Sequence, residues 1–233
     1  MKDESVIKII KQKEAILFDL FHTLTALEST WSNGPMTSEM LGVDRKDWNE
    51  QVLEKSRERL AGKVKDPLVI IRNMAHAIDK TISEEVVQSA VNNRIKRFEG
   101  ALINIPKETT RVLKTLKKMN KKIGLVSNAD ISEIVAWDKS PIAHLFDSVI
   151  FSCEVGCVKP EPEIYNICIK ELGVKTNQCL FVGDGGSREL EGAKNLGITT
   201  IMITGIISEL WPDKIAERRP HADYVIEQLT ELI

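Results

Sequence analysis

Ala15-Ile16-Leu17-Phe18-Asp19-Leu20-Phe21-His22-Thr23-Leu24-Thr25 runs four apolar residues into an acid and reaches a hydroxyl four residues beyond it. A continuous apolar run offers no polar face to water, so residues 15–19 read as a strand buried on both sides, with Asp19 at its carboxyl end. The pattern recurs downstream. Residues 122–127 (Lys-Ile-Gly-Leu-Val-Ser), 148–152 (Ser-Val-Ile-Phe-Ser), 179–183 (Cys-Leu-Phe-Val-Gly) and 199–203 read as further strands. Helical spacing separates them: Val112, Leu113, Leu116 and Met119, then residues 162–172, then 188–196. Short apolar strands alternating with helices predict an α/β fold, a mostly parallel sheet with helices on both faces.

Residues 36–100 have another texture, helical and poor in strands. Leu68, Ile71, Ala75 and Ile78 recur at helical spacing, as do Val87, Val91, Ile95 and Phe98. Ser83, followed by Glu84 and Glu85, suits a helix start, where acids meet the positive end of the helix dipole.

The chain has 233 residues, room for one large domain or one domain carrying an insertion. Its 42% hydrophobic and 28% charged residues describe a folded, soluble chain. With 34 acidic against 32 basic residues the net charge is −2, which argues against a nucleic-acid coat. Residues 198–207 are the longest mostly apolar stretch and fall far short of a membrane span. The acidic start Met1-Lys2-Asp3-Glu4 has no signal-type apolar core, so a cytoplasmic protein is expected. Cys153, Cys157, Cys168 and Cys179 lack the paired spacing of a zinc site and read as reduced thiols, the first two flanking a loop.

In parallel sheets, ligands bind beyond the carboxyl ends of the strands. The polar residues that follow the strands are Asp19, Ser127 with Asn128, Lys159 and Asp184. Singly, an acid or serine there is more often a helix cap than a catalyst. Together they supply a nucleophile-capable acid, a hydroxyl, a cation and a second acid at successive strand ends.

With these residues the sequence resembles the haloacid dehalogenase-like (HAD) hydrolase superfamily. Residues 18–25 resemble its first motif, an aspartate nucleophile with a threonine, here Thr23, four residues on. Leu125-Val126-Ser127-Asn128 resembles the second motif, and Lys159-Pro160-Glu161-Pro162 the third. Residues 182–189 (Val-Gly-Asp-Gly-Gly-Ser-Arg-Glu), with Gly192-Ala193, resemble the fourth, an acidic metal loop. The resemblance implies a Rossmann-like core from residues 1–26 and 106–233, with a helical cap from residues 27–105. It implies an aspartyl intermediate on Asp19, released by water. Mg²⁺ would be held by Asp19, the main-chain carbonyl of Phe21 and Asp184, with Glu189 holding metal-bound water or a neighbouring group. Lys159 would offset negative charge, Ser127 would donate to the phosphoryl oxygens, and Asn128 would neighbour the substrate. Thr23 is expected to position the loop.

Phe21 departs from the pattern. Family phosphatases carry a second aspartate there, which protonates the leaving oxygen. General acid–base help is worth about 10²–10⁴ in rate. Either the leaving group needs no proton, or another group such as His22 supplies it, or the chain binds without turnover. The expected function is a phosphatase acting on a small phosphorylated metabolite. A 2-haloacid dehalogenase or phosphonatase-type hydrolase and a non-catalytic, phosphate-sensing or protein-binding module are the alternatives. Retention of Asp184 and Glu189 favours a metal-dependent reaction over dehalogenation. The phosphonatase version needs a reactive cap lysine, for which Lys55 and Lys63 are available but not singled out by spacing.

Within the expected cap, Arg57, Arg59 and Lys63 near Gly62 either face the core and select an anionic substrate or form a solvated charged face. Trp31 and Trp48 read as packing residues. Cap closure would exclude water from the site. Gly183-Asp184-Gly185-Gly186 is a poor dinucleotide fingerprint, and the chain has neither a Gly-Lys-Ser/Thr phosphate loop nor a Gly-x-Ser-x-Gly elbow. Oligomeric state leaves no mark on the composition.

Overall fold

The structure is a computed structural model that describes residues 4–54 and 56–233. Among the described residues six strands form one sheet: β1 (Ala15–Phe18), β2 (Lys122–Ser127), β3 (Ser148–Phe151), β4 (Cys179–Gly183), β5 (Thr199–Ile203) and β6 (Tyr224–Ile226). Their order is β3-β2-β1-β4-β5-β6, and every neighbouring pair is parallel. The chain winds outward from β1 to β3, then returns to β4 on the other side of β1. That reversal opens a crevice at the carboxyl ends of the central strands, the ordinary place for a ligand in this architecture.

Burial explains the unbroken apolar runs. All four residues of β1 are buried, Ile16 and Phe18 in one core layer, Ala15 and Leu17 in the other. Side chains alternate across a strand, so a sheet covered on both faces makes every position apolar. The first layer includes Val6 and Ile10 of the helix Glu4–Gln12 and Leu113 and Leu116 of the helix Lys107–Lys118. The second includes Tyr165, Cys168 and Leu172 of the helix Pro162–Leu172.

Between β1 and β2 the chain forms the helices Thr37–Leu41, Arg45–Glu54, Ser56–Leu60, Pro67–Ile78 and Glu84–Ile103. They enclose a separate apolar cluster that includes Trp48, Ile70, Ile71, Met74, Val87 and Val91. Asp66 caps the fourth helix by accepting from the Leu68 amide at 2.8 Å, and Ser83 caps the fifth by accepting from the Val86 amide. Trp31 and Trp48 are both buried, as packing residues should be.

Several expectations shift at the edges. The first strand stops at Phe18 and the third at Phe151. Ser152 opens a short helix, Ser152–Val155, where its hydroxyl accepts from the Ala129 amide at 3.0 Å and braces the loop after β2. Cys153 therefore belongs to a helix, which Gly156 ends at φ 79°. The helix expected at 188–196 begins at Glu189, because Ser187 and Arg188 adopt left-handed backbone. The helix Glu4–Gln12 and the three-residue, half-buried edge strand β6 were not expected. Among the described residues no helix is long and apolar enough to cross a membrane.

Candidate active site

Parallel register aligns the strand ends. Phe18 of β1 pairs with Leu125 of β2 and Val182 of β4, and the Asp19 amide donates to the Val182 carbonyl at 3.0 Å. Asp19, Ser127 and Asp184 therefore emerge side by side. After Asp19 the chain turns tightly. Leu24 and Thr25 both donate to the Leu20 carbonyl, His22 takes φ 62°, and the buried side chains of Leu20 and Leu24 hold the turn down. This turn brings the Thr23 hydroxyl to Asp19 Oδ2, to which it donates at 3.1 Å.

Lys159 reaches the same point from the loop after β3. Its ammonium donates to Asp19 Oδ1 and Glu189 Oε2, each at 2.5 Å. Two local features place it. The Asn128 side chain accepts from the Lys159 amide at 2.8 Å and donates to the Lys159 carbonyl at 3.1 Å. Asn128, expected beside the substrate, thus clamps the lysine's main chain. Gly192 lets the helix Glu189–Asn195 close on the loop, for a Cβ there would lie 2.7 Å from the Pro160 carbonyl oxygen.

Glu189 is buried against Gly183, where a Cβ would strike its Oε1 at 2.1 Å. Its Oε1 accepts from the Gly185 amide at 3.0 Å. Asp184 accepts from the Gly186 amide at 2.7 Å and pairs through Oδ2 with Arg218 at 3.0 Å. Asp19, Asp184 and Glu189 each offer a carboxylate oxygen, and these oxygens lie within 4.8 Å of one another. An all-oxygen, buried, acidic donor set suits a hard divalent cation such as Mg²⁺. Burial and then the nearby charges of Asp19 and Asp184 push Glu189 well above the usual carboxylate range. Burial lowers the pKa of Lys159, but Asp19 and Glu189 outweigh it and keep the ammonium charged.

Ser127 is buried, and its Oγ has no hydrogen-bond partner. A buried hydroxyl left unpaired loses its hydration without compensation. Here it stands beside the acidic cluster, where an incoming oxygen could accept from it.

Phe21 supplies no acid. Its ring sits 5.7 Å from that of Trp31 and 5.2 Å from that of Phe98. His22 Nε2 lies 2.9 Å from Glu28, and the imidazole packs between Trp31 and Trp211. Burial pulls the His22 pKa down, but the Glu28 hydrogen bond and the charges of Asp184, Glu28 and Asp19 produce a net rise.

The cations expected in the helical segment divide. Arg59 turns to the sheet side and pairs with Asp130 and Glu133. Arg57 pairs with Glu161 at 2.8 Å, and Lys63 pairs with Glu58 in solvent. Each of these charges already has a partner, so the reading of the trio as an anion selector gives way to pairing. Lys55 lies outside the described residues. Gly62, at φ 67°, lets this segment touch the sheet side: a Cβ would lie 2.0 Å from the Cys153 carbonyl oxygen. Sequence reasoning missed Arg218, Arg94, Asp130 and Glu133. The Asp130-x-x-Glu133 spacing carried a readable signal, a capping box in which Asp130 accepts from Ser132 and Glu133 accepts from the Asp130 amide.

The sequence model for haloacid dehalogenase-like hydrolases matches residues 13–197. The chain is 32% identical over 137 residues to a glyceraldehyde 3-phosphate phosphatase from Methanocaldococcus jannaschii, an alignment covering 57% of each protein. The chain thus spans little more than half the length of this relative. Solved structures that share its fold include two with bound groups. One is an L-2-haloacid dehalogenase from Xanthobacter autotrophicus with chloropropionic acid covalently bound, at TM-score 0.63 and 19% identity over 94% of this chain and 96% of that one. The other is a HAD family enzyme from Bacteroides thetaiotaomicron in complex with magnesium and inorganic phosphate, at TM-score 0.61 and 18% identity over 82% and 94%.

Proposed function

Because this chain belongs to the haloacid dehalogenase-like hydrolases, we propose that it is a Mg²⁺-dependent phosphatase that takes the phosphoryl group of a small metabolite onto Asp19. The observation that carries this reading is the convergence of Asp19, Asp184 and Glu189 on one buried point. Three acids and an incoming phosphoryl dianion repel one another unless a divalent cation joins them. Asp19, Asp184, the Phe21 carbonyl and Glu189 are the groups proposed to hold Mg²⁺ or its waters. When bound, the ion would screen the phosphoryl oxygens and the nucleophile from each other.

The chain's own residues supply the remaining steps. Thr23 and Lys159 each bind one Asp19 oxygen and hold the carboxylate in one orientation. An Asp19 oxygen attacks phosphorus, the bond from phosphorus to the leaving oxygen breaks, and an aspartyl phosphate remains. Water then cleaves that acyl phosphate, releasing inorganic phosphate and restoring the carboxylate. Ser127 donates to the phosphoryl oxygens, and the Lys159 ammonium balances their charge. Phe21 offers the leaving oxygen no proton, so good leaving groups such as acyl phosphates are the favoured substrates. The named activity of the archaeal relative supports a small phosphorylated substrate. We place helices 27–105 over the site as a cap, with residues 1–26 and 106–233 as the core. The proposed setting is the cytoplasm, in keeping with four free cysteines.

Phe21 also suits a halide leaving group, which needs no proton. Asp184 and Glu189 oppose that reading, since a carboxylate nucleophile gains nothing from two buried acids without a cation. The test is phosphate release from acetyl phosphate and p-nitrophenyl phosphate, with Mg²⁺ or chelator. Release should need Mg²⁺, favour acetyl phosphate, and fall by at least about 10³-fold in Asp19→Asn. Release that survives Asp19→Asn would overturn the mechanism. Halide release from 2-chloropropionate without phosphatase activity would replace the function.

A further inference from the structure

Asp184 differs from the other two acids of the site in the cation it meets. Lys159 bridges Asp19 and Glu189. Asp184 pairs instead with Arg218, which lies outside residues 13–197, the stretch that matches the family model. Among the described residues Arg218 pairs with no other acid.

Arg218 is built in for this contact. Its side chain is 17% exposed. One nitrogen, Nη1, donates both to Asp184 Oδ2 at 3.0 Å and to the Asp184 carbonyl at 3.1 Å. The aliphatic stem lies across Gly185, where a Cβ would stand 2.9 Å from Arg218 Cδ and 3.0 Å from its Cβ. Arg218 closes the helix Pro212–Arg218, which is tied down at both ends. Before its start, the Trp211 ring packs perpendicular to that of His22, with centroids 5.0 Å apart. Past its end, the buried Thr200 hydroxyl of β5 donates to the His221 carbonyl at 2.8 Å. The other Asp184 oxygen, Oδ1, is held by the Gly186 amide. Both carboxylate oxygens are thus fixed, one by main chain and one by an anchored guanidinium. A carboxylate offers about four lone-pair sites, so oxygens held this way still have electron pairs for a metal ion.

Rigidity matters differently to different ions. Mg²⁺ demands near-ideal octahedral geometry at about 2.0–2.1 Å, whereas Ca²⁺ accepts about 2.3–2.6 Å and irregular arrangements. A ligand free to swing therefore costs Mg²⁺ more than Ca²⁺. The positive charge of Arg218 repels both ions alike, because each carries two charges, and so drops out of their ratio. Given the Mg²⁺ centre of the proposed function, on which this rests, we infer that Arg218 is a positioning residue that sets the choice of ion: by fixing Asp184 it favours Mg²⁺ over Ca²⁺.

The experiment is calorimetric titration of the full chain with MgCl₂ and, separately, CaCl₂ at fixed ionic strength, which reads the ratio of affinities without turnover. The parent should prefer Mg²⁺ at least about tenfold, and Asp184→Asn should weaken both ions at least about tenfold. Arg218→Met should cut the preference for Mg²⁺ about tenfold or more, in the range typical of groups that hold metal ligands in place. Arg218→Gln, a milder change that keeps a polar tip, should also lower it, with circular dichroism confirming both folds. If the variants shift both affinities by one factor and leave the ratio intact, Arg218 acts through charge alone, which overturns the inference and spares the Mg²⁺ reading. A parent that binds Ca²⁺ as tightly as Mg²⁺ overturns it without any variant. A parent that binds neither ion, or binding unchanged in Asp184→Asn, would take the Mg²⁺ reading down with it.

Discussion

Two clusters of buried acids and bases in this molecule are balanced differently. At the strand ends Asp19, Asp184 and Glu189 face Lys159 and Arg218, three acids against two cations. Where the helical segment meets the loop after β2, Asp130 and Glu133 face Arg59 and Arg94, two against two. A balanced buried network satisfies itself and fixes how two parts of the chain meet. An unbalanced one is incomplete until another charge arrives. The second cluster holds the molecule together, and the first awaits chemistry.

The comparison breaks most visibly at Arg94. It is buried, and its loss would strand Asp130 and Glu133 with Arg59 alone. Removing one partner of a buried pair costs about 3–5 kcal/mol. Urea unfolding of Arg94→Met should show a loss of that size, and a loss below about 1 kcal/mol would mean that the network is not structural.

Ser127→Ala should do the reverse. Its unpartnered Oγ stabilises nothing in the folded chain, so the melting temperature should hold or rise. Loss of one transition-state donor should cut kcat for acetyl phosphate by about 10²-fold. A stability loss with unchanged kcat would assign the residue to the core instead.

Gly62 sharpens the comparison at the contact between the two parts. Gly62→Ala would set a Cβ against Cys153 in left-handed backbone, for about 1–3 kcal/mol of destabilisation. Thermal unfolding that matches the parent would show that the segment does not rest on the sheet side there.

The smallest effect is the pH dependence of the His22–Glu28 pair. The folded His22 pKa is raised, so its share of stability is complete below about pH 6.5 and fades as pH climbs through the raised value. The Glu28 carboxyl is lowered, chiefly by its His22 hydrogen bond, so its share is present above about pH 4.3 and fades as pH falls through the lowered value. The parent should exceed Glu28→Gln by under about 1 kcal/mol near pH 5.5 and by less at pH 8. A gap that widens toward pH 8 would contradict the pairing.

The sheet was legible because its strands obey one rule over their whole length. Both faces are covered, so every position of 15–18 and 179–183 is apolar, and the polar residue that follows marks the strand end. β6 escaped because a three-residue edge strand has too little apolar sequence to stand out. Asp19, Ser127, Lys159 and Asp184 could be picked out before any coordinates, since the chemistry stands where each strand stops. Asn128 could not be placed, because its partner is the main chain of Lys159, 31 residues away.

The amino-acid sequence by itself determined the alternation of strands and helices, the helical stretch after Asp19 and the acids at the strand ends, since these follow from local periodicity and chain order. Tertiary structure alone decided which charges are spoken for. Arg59 stays open between a core-facing and a solvated charge, and Arg94 passes unnoticed, until Asp130 and Glu133 meet them across the contact. Lys159 is singled out by its Lys-Pro-x-Pro context, but that it bridges Asp19 and Glu189 is settled only in the folded chain. Electrostatic balance depends on distance and on exclusion of water, and neither is set until the chain has folded.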